Sequence, residues 1–272
     1  MSADLHNHSL YSDGTWRPSE LVREAKRLGL HYLGLTDHDT AAGLAEARRE
    51  CQSGGAPVLV PGVELSTEEA GREVHVLAYF AEFERGELAE LLAGQREERV
   101  RRLRRMVGKI TALGMPIDEE RVLALAGPGS AGRPHIARAM AERGYVKSVA
   151  EAFSLYLSPG KPGYVERTKL DPVATAEMVR RAHGVAVLAH PGLIGDEAIV
   201  RQLLGSGAFT GVEVWHPNHD AVATERYLRL AEEHHLVGTG GSDFHDGEEG
   251  SGYLGAATSP DTTVEALLAQ VR

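Results

Sequence analysis

The 272-residue sequence contains one cysteine, Cys51, which excludes an intrachain disulfide and a metal site built from thiolates. No apolar run approaches the roughly 20 residues that a membrane-spanning helix needs. The first residues also lack the basic and apolar segments of a signal peptide. We therefore expect a cytoplasmic protein that does not bind membranes, and no protein partner can be inferred.

The sequence also has no excess of positive charge, and its formal net charge is −10. This argues against a broadly basic surface that coats nucleic acid. It does not exclude a phosphate-bearing substrate, since bound cations reverse the local field and acidic side chains hold such cations. The unusual feature that is present is histidine, with 13 residues.

Short apolar segments alternate with amphipathic helical segments over most of the chain. This alternation predicts an α/β fold with a parallel sheet or barrel. The predicted strands are Ala3–Ser9, Tyr32–His38, Val58–Leu65, Glu73–Phe80, Gly184–His190, Gly211–His216 and Leu236–Ser242. The predicted helices are Pro18–Leu28, Ala42–Cys51, Pro172–Ala182, Asp196–Leu204, Thr224–His234 and Thr263–Val271.

Two segments depart from this alternation. The Ser66–Arg72 link is too short for a helix and predicts a hairpin at Gly71, so the barrel would be irregular. Residues 83–165 look helical throughout and are predicted to form an insert between two parts of a barrel, 1–82 and 166–272. Within it, Arg96–Ile110 has one apolar and one basic face. That basic face either steers a polyanionic substrate or is simply solvated.

Metal-binding side chains recur where the predicted strands end. His6 and His8 are two residues apart on one strand, so both imidazoles point to the same face. In a (β/α) barrel the carboxyl ends of the strands converge on one rim, where active sites lie. The other strands contribute His38 with Asp37 and Asp39, Glu64, His75, His190, His216, and Asp243 with His245.

This set of imidazoles and carboxylates suits Mn, Fe or Zn. The ligands outnumber the four to six that one ion takes, so we expect a multinuclear site with a bridging carboxylate. Multinuclear sites of this type activate water and clamp an in-line displacement at phosphorus.

These motifs resemble those of the PHP (polymerase and histidinol phosphatase) family. The resemblance spans both ends of the chain and implies a distorted (β/α)7 TIM-like barrel with a helical insert. The matching segments are His6-Asn7-His8-Ser9, Asp13-Gly14, Thr36-Asp37-His38-Asp39, Gly62-Val63-Glu64, His190-Pro191 and Ser242-Asp243-Phe244-His245.

The resemblance implies three divalent metals, with manganese favoured and iron or zinc as alternatives. It assigns the first to His6, His8, Glu64 and Asp243. The second would use Glu64 as a bridge, with His75 and His190. The third would use Asp13, His38 and His245. Asp37 and Asp39 are expected to orient the histidines.

Two insert segments, Gly132–Ala137 and Gly160–Val165, resemble the branch that holds 3′,5′-nucleoside bisphosphate phosphatases and 5′→3′ exoribonucleases. In that branch the insert caps the metal rim. Arg133 and His135 would bind substrate phosphate, or instead form a helix-start salt bridge and a packed helix terminus. Further expected substrate contacts, each with a structural alternative, are Lys161, Tyr164, His216 and His219.

We therefore expect a metal-dependent phosphoesterase acting on the 3′ phosphate of 3′,5′-bisphosphorylated nucleotides, on short 5′-phosphorylated RNA, or on both. The expected catalytic residues are Glu64, Asp243 and His216, the last as a candidate proton donor. Two alternatives are a histidinol-phosphate phosphatase of the same fold and a non-catalytic PHP module that binds metal.

Overall fold

The computed structural model describes residues 2–127, 130–166, 170–246 and 252–271. In these residues, seven strands form one sheet in which spatial order follows chain order. All seven predicted strands are confirmed, although most are shorter than predicted. They are β1 Ala3–Asp4, β2 Tyr32–Leu35, β3 Val58–Glu69, β4 Arg72–Tyr79, β5 Val185–Leu188, β6 Gly211–Trp215 and β7 Val237–Gly240.

The first strand is much shorter than the predicted Ala3–Ser9 because a side chain interrupts the ladder. The side-chain amide of Asn7 donates to the backbone oxygens of Asp4 and Gly34. In a regular strand, backbone N–H groups would occupy these positions. Beyond this point the chain pairs with the segment after β7, where the His8 amide donates to Phe244 at 2.8 Å. These contacts bring the two ends of the sheet together into a nearly closed barrel.

The predicted hairpin is confirmed and makes β4 the reversed strand of the barrel. Strands β3 and β4 are antiparallel, with Glu69 opposite Arg72. Ala70 and Gly71, between them, both have positive φ, as a tight two-residue hairpin turn requires. Because β4 runs backwards, its amino-terminal half lies at the rim that the other strands reach with their carboxyl ends. This reversal places His75 at that rim.

The described residues contain ten α-helices, and the six predicted ones are confirmed within a few residues. No helix in these ranges is long and apolar enough to cross a membrane. The helices are α1 Pro18–Arg27, α2 Leu44–Cys51, α3 Gly86–Ala112, α4 Glu119–Ala126, α5 Arg133–Glu142, α6 Val149–Ala152, α7 Pro172–Arg181, α8 Glu197–Gly205, α9 Ala221–Glu233 and α10 Asp261–Leu268.

Helix α3 connects two hydrophobic cores. Its first turns bury Leu88 and Leu92 in the core between the barrel strands and their outer helices. Its later turns bury Met106 and Ile110 in a separate core shared with α4, α5 and α6. The two ends of this 27-residue helix therefore belong to different packing units. The boundary of the insert at residue 83 stays a prediction.

Candidate metal centre

All nine predicted ligands lie at one rim of the barrel, where they form three overlapping groups, two of which contain Glu64. Strand and loop geometry bring them together from distant parts of the sequence. For example, His38 lies beyond the end of β2 and pairs with Glu64 inside β3. The groups are His6, His8, Glu64 and Asp243; His38, Glu64 and His75, with His190 beside them; and His8, Asp13, His38 and His245.

The first group has the spacing of a metal site. His6 Nε2 and His8 Nε2 are 3.1 Å apart. Asp243 Oδ1 lies 3.3 Å from the former and 3.2 Å from the latter. Glu64 Oε2 lies 3.4 and 3.2 Å from the same two nitrogens. In a tetrahedral site with bonds of about 2.0–2.2 Å, neighbouring ligand atoms are about 3.3–3.6 Å apart. These distances therefore fit one ion.

The two carboxylate oxygens of Glu64 face different histidines. Oε1 lies 2.7 Å from His75 Nδ1 and 3.0 Å from His190 Nε2. Oε2 faces the first group and also lies 3.0 Å from His38 Nδ1. This is the arrangement of a bridging carboxylate. It also places His38 beside Glu64, whereas the resemblance assigns His38 only to the third group.

The third group is centred on Asp13. Its Oδ1 lies 3.3 Å from His245 Nε2, and its Oδ2 lies 3.8 Å from His38 Nε2. The rings of His8 and His245 stack with centroids 4.2 Å apart. His8 is therefore shared between the first and third groups.

The protonation of these side chains is set by burial and by their mutual charges. Burial alone would raise the pKa of Glu64, but His38, His75 and His6 outweigh it and hold that pKa well below its usual range. Burial would likewise lower the pKa of His245, yet the carboxylates of Asp13 and Asp243 raise it to about 10. Burial dominates at His38 and lowers its pKa to about 3, so its ring is neutral, as a metal ligand must be.

Buried polar atoms without partners show that the site fits cations. Within the described residues, Glu64 Oε2, His38 Nδ1 and Asp13 Oδ1 are buried without a hydrogen-bond partner. Such atoms are costly to bury unless something satisfies them. All three belong to the ligand groups, and divalent cations would satisfy them.

Two buried carboxylates that the sequence did not single out hold the ligands in place. Glu213 accepts hydrogen bonds from His6 Nδ1 at 3.1 Å and from the His190 backbone at 2.7 Å. Asp4 accepts from the Ser242 backbone at 2.9 Å, next to Asp243. For Glu213 the available signal was an acidic residue in an otherwise apolar predicted strand, because a carboxylate at such a position needs a partner. Asp4 shares its predicted strand with other polar residues and gave no such signal.

The two aspartates beside His38 differ in what they contact. Asp37 accepts from Ser12 Oγ at 2.8 Å, and that hydroxyl lies 3.3 Å from His8 Nδ1. Asp39 instead accepts from Arg99 Nε at 2.6 Å. Arg99 belongs to the basic face of α3, for which the sequence allowed either substrate steering or simple solvation. Its side chain is only 13% exposed, so at this residue the helix face contacts the rim.

The family follows from comparison with known proteins. Residues 4–169 match the PHP domain. The chain belongs to the PHP family. Over 247 residues it is 34% identical to the 5′-3′ exoribonuclease Rnm of Escherichia coli strain K12, covering 89% of this chain and 84% of that protein. Over 257 residues it is 34% identical to the 3′,5′-nucleoside bisphosphate phosphatase of Chromobacterium violaceum, covering 93% of this chain and 90% of that protein.

A solved structure supports the same assignment. A Bifidobacterium adolescentis protein described as a metal-dependent phosphoesterase superimposes with a TM-score of 0.91 at 33% identity. The match covers 100% of this chain and 97% of that one. The PHP chain is therefore a metal-dependent phosphoesterase with several clusters of candidate metal ligands.

The insert of this PHP chain contacts the rim through Arg133. Its guanidinium lies 5.5 Å from the centre of the Phe153 ring. Its Nη2 donates to Glu73 at 3.1 and 3.2 Å. The salt bridge that the sequence left as an alternative is thus present, and it lies next to the metal groups.

His135 and Tyr164 have structural partners within the insert. His135 is buried, and its Nδ1 accepts from the Gly132 amide at 3.0 Å at the start of α5. Burial lowers its pKa to about 4, so the ring is neutral. The Tyr164 ring lies 5.2 Å from the Arg102 guanidinium. Lys161 is exposed. Across the described ranges, neither Lys161 nor Tyr164 forms a hydrogen bond or ion pair with the metal groups.

His216 and His219 lie beside the site but differ in the atoms they offer. His216 Nδ1 accepts from the Asn218 amide, so the proton of the neutral ring is on Nε2, 3.4 Å from Asp243 Oδ2. Both nitrogens of His219 are bonded to the backbone, Nδ1 to Val214 at 2.9 Å and Nε2 to Gly192 at 3.2 Å. His219 therefore connects two rim loops and has no nitrogen left for a substrate in this conformation.

Proposed function

We propose that this PHP phosphoesterase hydrolyses the 3′ phosphate ester of nucleotides that carry phosphates at both the 3′ and 5′ positions. The same site would remove nucleotides from the 5′ end of short 5′-phosphorylated RNA. The observation that carries the proposal is the position of Arg133. It lies on the insert, across Glu73 from His75, where it provides a second place for an anion beside the metal groups.

We propose three metals at this rim. His6, His8, Glu64 and Asp243 would hold the first, and Glu64, His75 and His190 the second. Asp13, His38 and His245, with His8 beside them, would hold the third. Manganese is the favoured ion, and iron or zinc would also suit these ligands. When bound, such ions stabilise the charge that develops on the phosphoryl group.

In the proposed reaction, a water oxygen forms a bond to phosphorus and the bond from phosphorus to the 3′ oxygen breaks. The leaving oxygen then needs a proton. His216 is the proposed donor because its Nε2 proton faces the rim beside Asp243, and the proton that the attacking water loses restores the neutral ring. Glu64 and Asp243 contribute by holding the ions.

The insert, residues 83–165, is proposed to cap the substrate. The planar fork of Arg133 suits the oxygens of a 5′ phosphate that is not itself cleaved. His135 supports this anchor by accepting a hydrogen bond from the backbone amide of Gly132, the residue before Arg133. Lys161 and Tyr164 would contact RNA beyond its first nucleotide. The substrate role expected for His219 is not retained, because both of its ring nitrogens are bonded to backbone.

The alternatives are less well supported. Two of the relatives that match over most of their length are named for acting on RNA and on 3′,5′-nucleoside bisphosphates. A histidinol-phosphate phosphatase would have no use for a second anion position at Arg133. A non-catalytic module would not need a complete set of ligands. A cytoplasmic location stays a prediction.

The test compares three substrates on manganese-loaded protein: adenosine 3′,5′-bisphosphate, histidinol phosphate and 5′-phosphorylated RNA. We expect adenosine 5′-monophosphate and inorganic phosphate from the first, and 5′-mononucleotides from the RNA. Histidinol phosphate turned over fastest would contradict the proposed substrate class. Failure on all three at saturating metal would contradict the proposed reaction.

A further inference from the structure

Glu73 lies between the proposed anchor and a proposed metal ligand. It is two residues before His75 on β4, so both side chains lie on one face of the strand. Its Oε1 is 3.4 Å from His75 Nε2, while both of its oxygens are within 3.2 Å of Arg133 Nη2. One carboxylate thus occupies the gap that separates the insert from the metal groups.

The surroundings of Glu73 favour an anion at this position. Arg133 and His75 contact the Glu73 carboxylate, and Arg99 interacts electrostatically with it. Burial opposes ionisation of Arg99, but Asp39, Asp13 and Glu73 together raise its pKa. Two arginines, Arg99 from α3 and Arg133 from α5, therefore act on the space that the Glu73 carboxylate fills.

Two features nevertheless oppose the Glu73 carboxylate at this position. It pairs directly across the β3–β4 ladder with Glu68, and like charges at opposing positions are unfavourable. Its side chain is 44% exposed, so its ion pair with Arg133 is partly screened by solvent. A phosphate dianion, which has more charge and three oxygens, is a stronger partner for an arginine fork than one carboxylate.

We infer that Glu73 is a built-in competitor for the substrate's anchor phosphate. It pairs with Arg133 in the free enzyme and is displaced when the 5′ phosphate of the substrate binds. The identity of this anchor phosphate rests on the proposed function. The cleaved nucleotide still carries its 5′ phosphate, so product would leave Arg133 only slowly if nothing took its place. Return of the Glu73 carboxylate to Arg133 weakens product binding and promotes release.

The test uses Glu73→Gln and the binding of adenosine 5′-monophosphate, measured by calorimetry on manganese-loaded protein. Glutamine keeps an oxygen that can accept from His75 Nε2 but removes the charge that competes for Arg133. We expect the Kd to fall by about fivefold, which corresponds to a partly exposed ion pair of about 1 kcal/mol. Adenosine, which lacks the anchor phosphate and has no ester to cleave, should bind with unchanged affinity.

Two further variants identify the cause. Glu69→Gln removes a carboxylate from the same hairpin but on the opposite face, and should leave the Kd unchanged. In an Arg133→Ala background, Glu73→Gln should no longer tighten binding. Weaker binding in Glu73→Gln, or a gain that persists without Arg133, would overturn the inference. If the glutamine variant folds poorly, Glu73→Thr repeats the test with a good strand former.

The result can be separated from the test of the proposed function. If wild-type protein cleaves the bisphosphate but Glu73→Gln binds product no more tightly, only the role of Glu73 is wrong. If Glu73→Gln tightens product binding while wild-type protein leaves the bisphosphate intact, the competitor is supported and the substrate assignment is wrong.

Discussion

Glu213 accepts a hydrogen bond from the imidazole of His6, with 3.1 Å between Oε1 and Nδ1. This bond sets the tautomer of His6 and turns its Nε2 towards the first metal group. The same carboxylate accepts from the backbone amide of His190, whose φ is +24°. Glu213 therefore supports a ligand of the first group and a ligand of the second from one buried position.

Glu213→Gln should weaken metal binding. A glutamine has one acceptor oxygen for two donors, so either His6 or the His190 amide loses its partner. Loss of such a carboxylate typically costs about 10–100-fold in metal affinity. The measurement is manganese affinity by calorimetry. Glu225→Gln, on the exposed face of α9, is the control. Equal affinity in both variants would refute the positioning role.

Asp243→Asn should lower turnover by more than about 100-fold while leaving the fold intact, because it removes the carboxylate of a proposed metal ligand. Asp243 has a φ of +47°, a conformation that asparagine also tolerates, so the change adds little backbone strain. Turnover is measured at saturating manganese and the fold by thermal unfolding. Asp220→Asn is the matched control because either residue caps α9. Activity within a few-fold of wild type would contradict the role.

Arg133→Ala should raise KM for the bisphosphate by about 10-fold or more, as expected for one lost charge-assisted contact. A contact to a phosphate that does not react stabilises ground and transition states alike, so its loss appears mainly in KM. Metal content should not change. Arg104→Ala removes an exposed pair with Glu119 and serves as the control. Loss of metal from Arg133→Ala would instead indicate a structural role.

The bisphosphate should be preferred over either nucleoside monophosphate by at least about tenfold in kcat/KM, because only it can anchor one phosphate and present the other. Chromatography of the products identifies the bond that breaks. Accumulation of adenosine 5′-monophosphate supports the 5′ anchor. Early release of the 5′ phosphate, or equal rates on all three nucleotides, would show that the anchor is wrongly placed.

Much of the fold and of the ligand set could be predicted because it depends on short-range patterns. The two-residue spacing of His6 and His8 predicted that both imidazoles face one side, and their Nε2 atoms do lie 3.1 Å apart although β1 ends at Asp4. The carboxyl ends of the strands in a (β/α) barrel meet at one rim, so residues at strand ends far apart in sequence were predicted to lie together. The short link at Gly71 also predicted the hairpin, and with it the irregularity of the barrel.

The tertiary structure decided which side chains share partners. Glu213 and Asp4 belong to no motif in the sequence, and only the closed barrel shows that each accepts hydrogen bonds from segments far along the chain. Arg99 looks like one of several solvated arginines on α3, yet the insert places it against Asp39.

The sequence by itself therefore determined the chemistry at the rim, because ligand type and strand periodicity are local properties. Which side chains contact one another around that rim was decided only by the tertiary structure. Whether Glu64 faces one group or two, and whether Arg133 meets a carboxylate or solvent, depends on how the reversed β4 and the insert approach each other. That approach is set by packing between α3, α5 and the barrel, which no local pattern encodes.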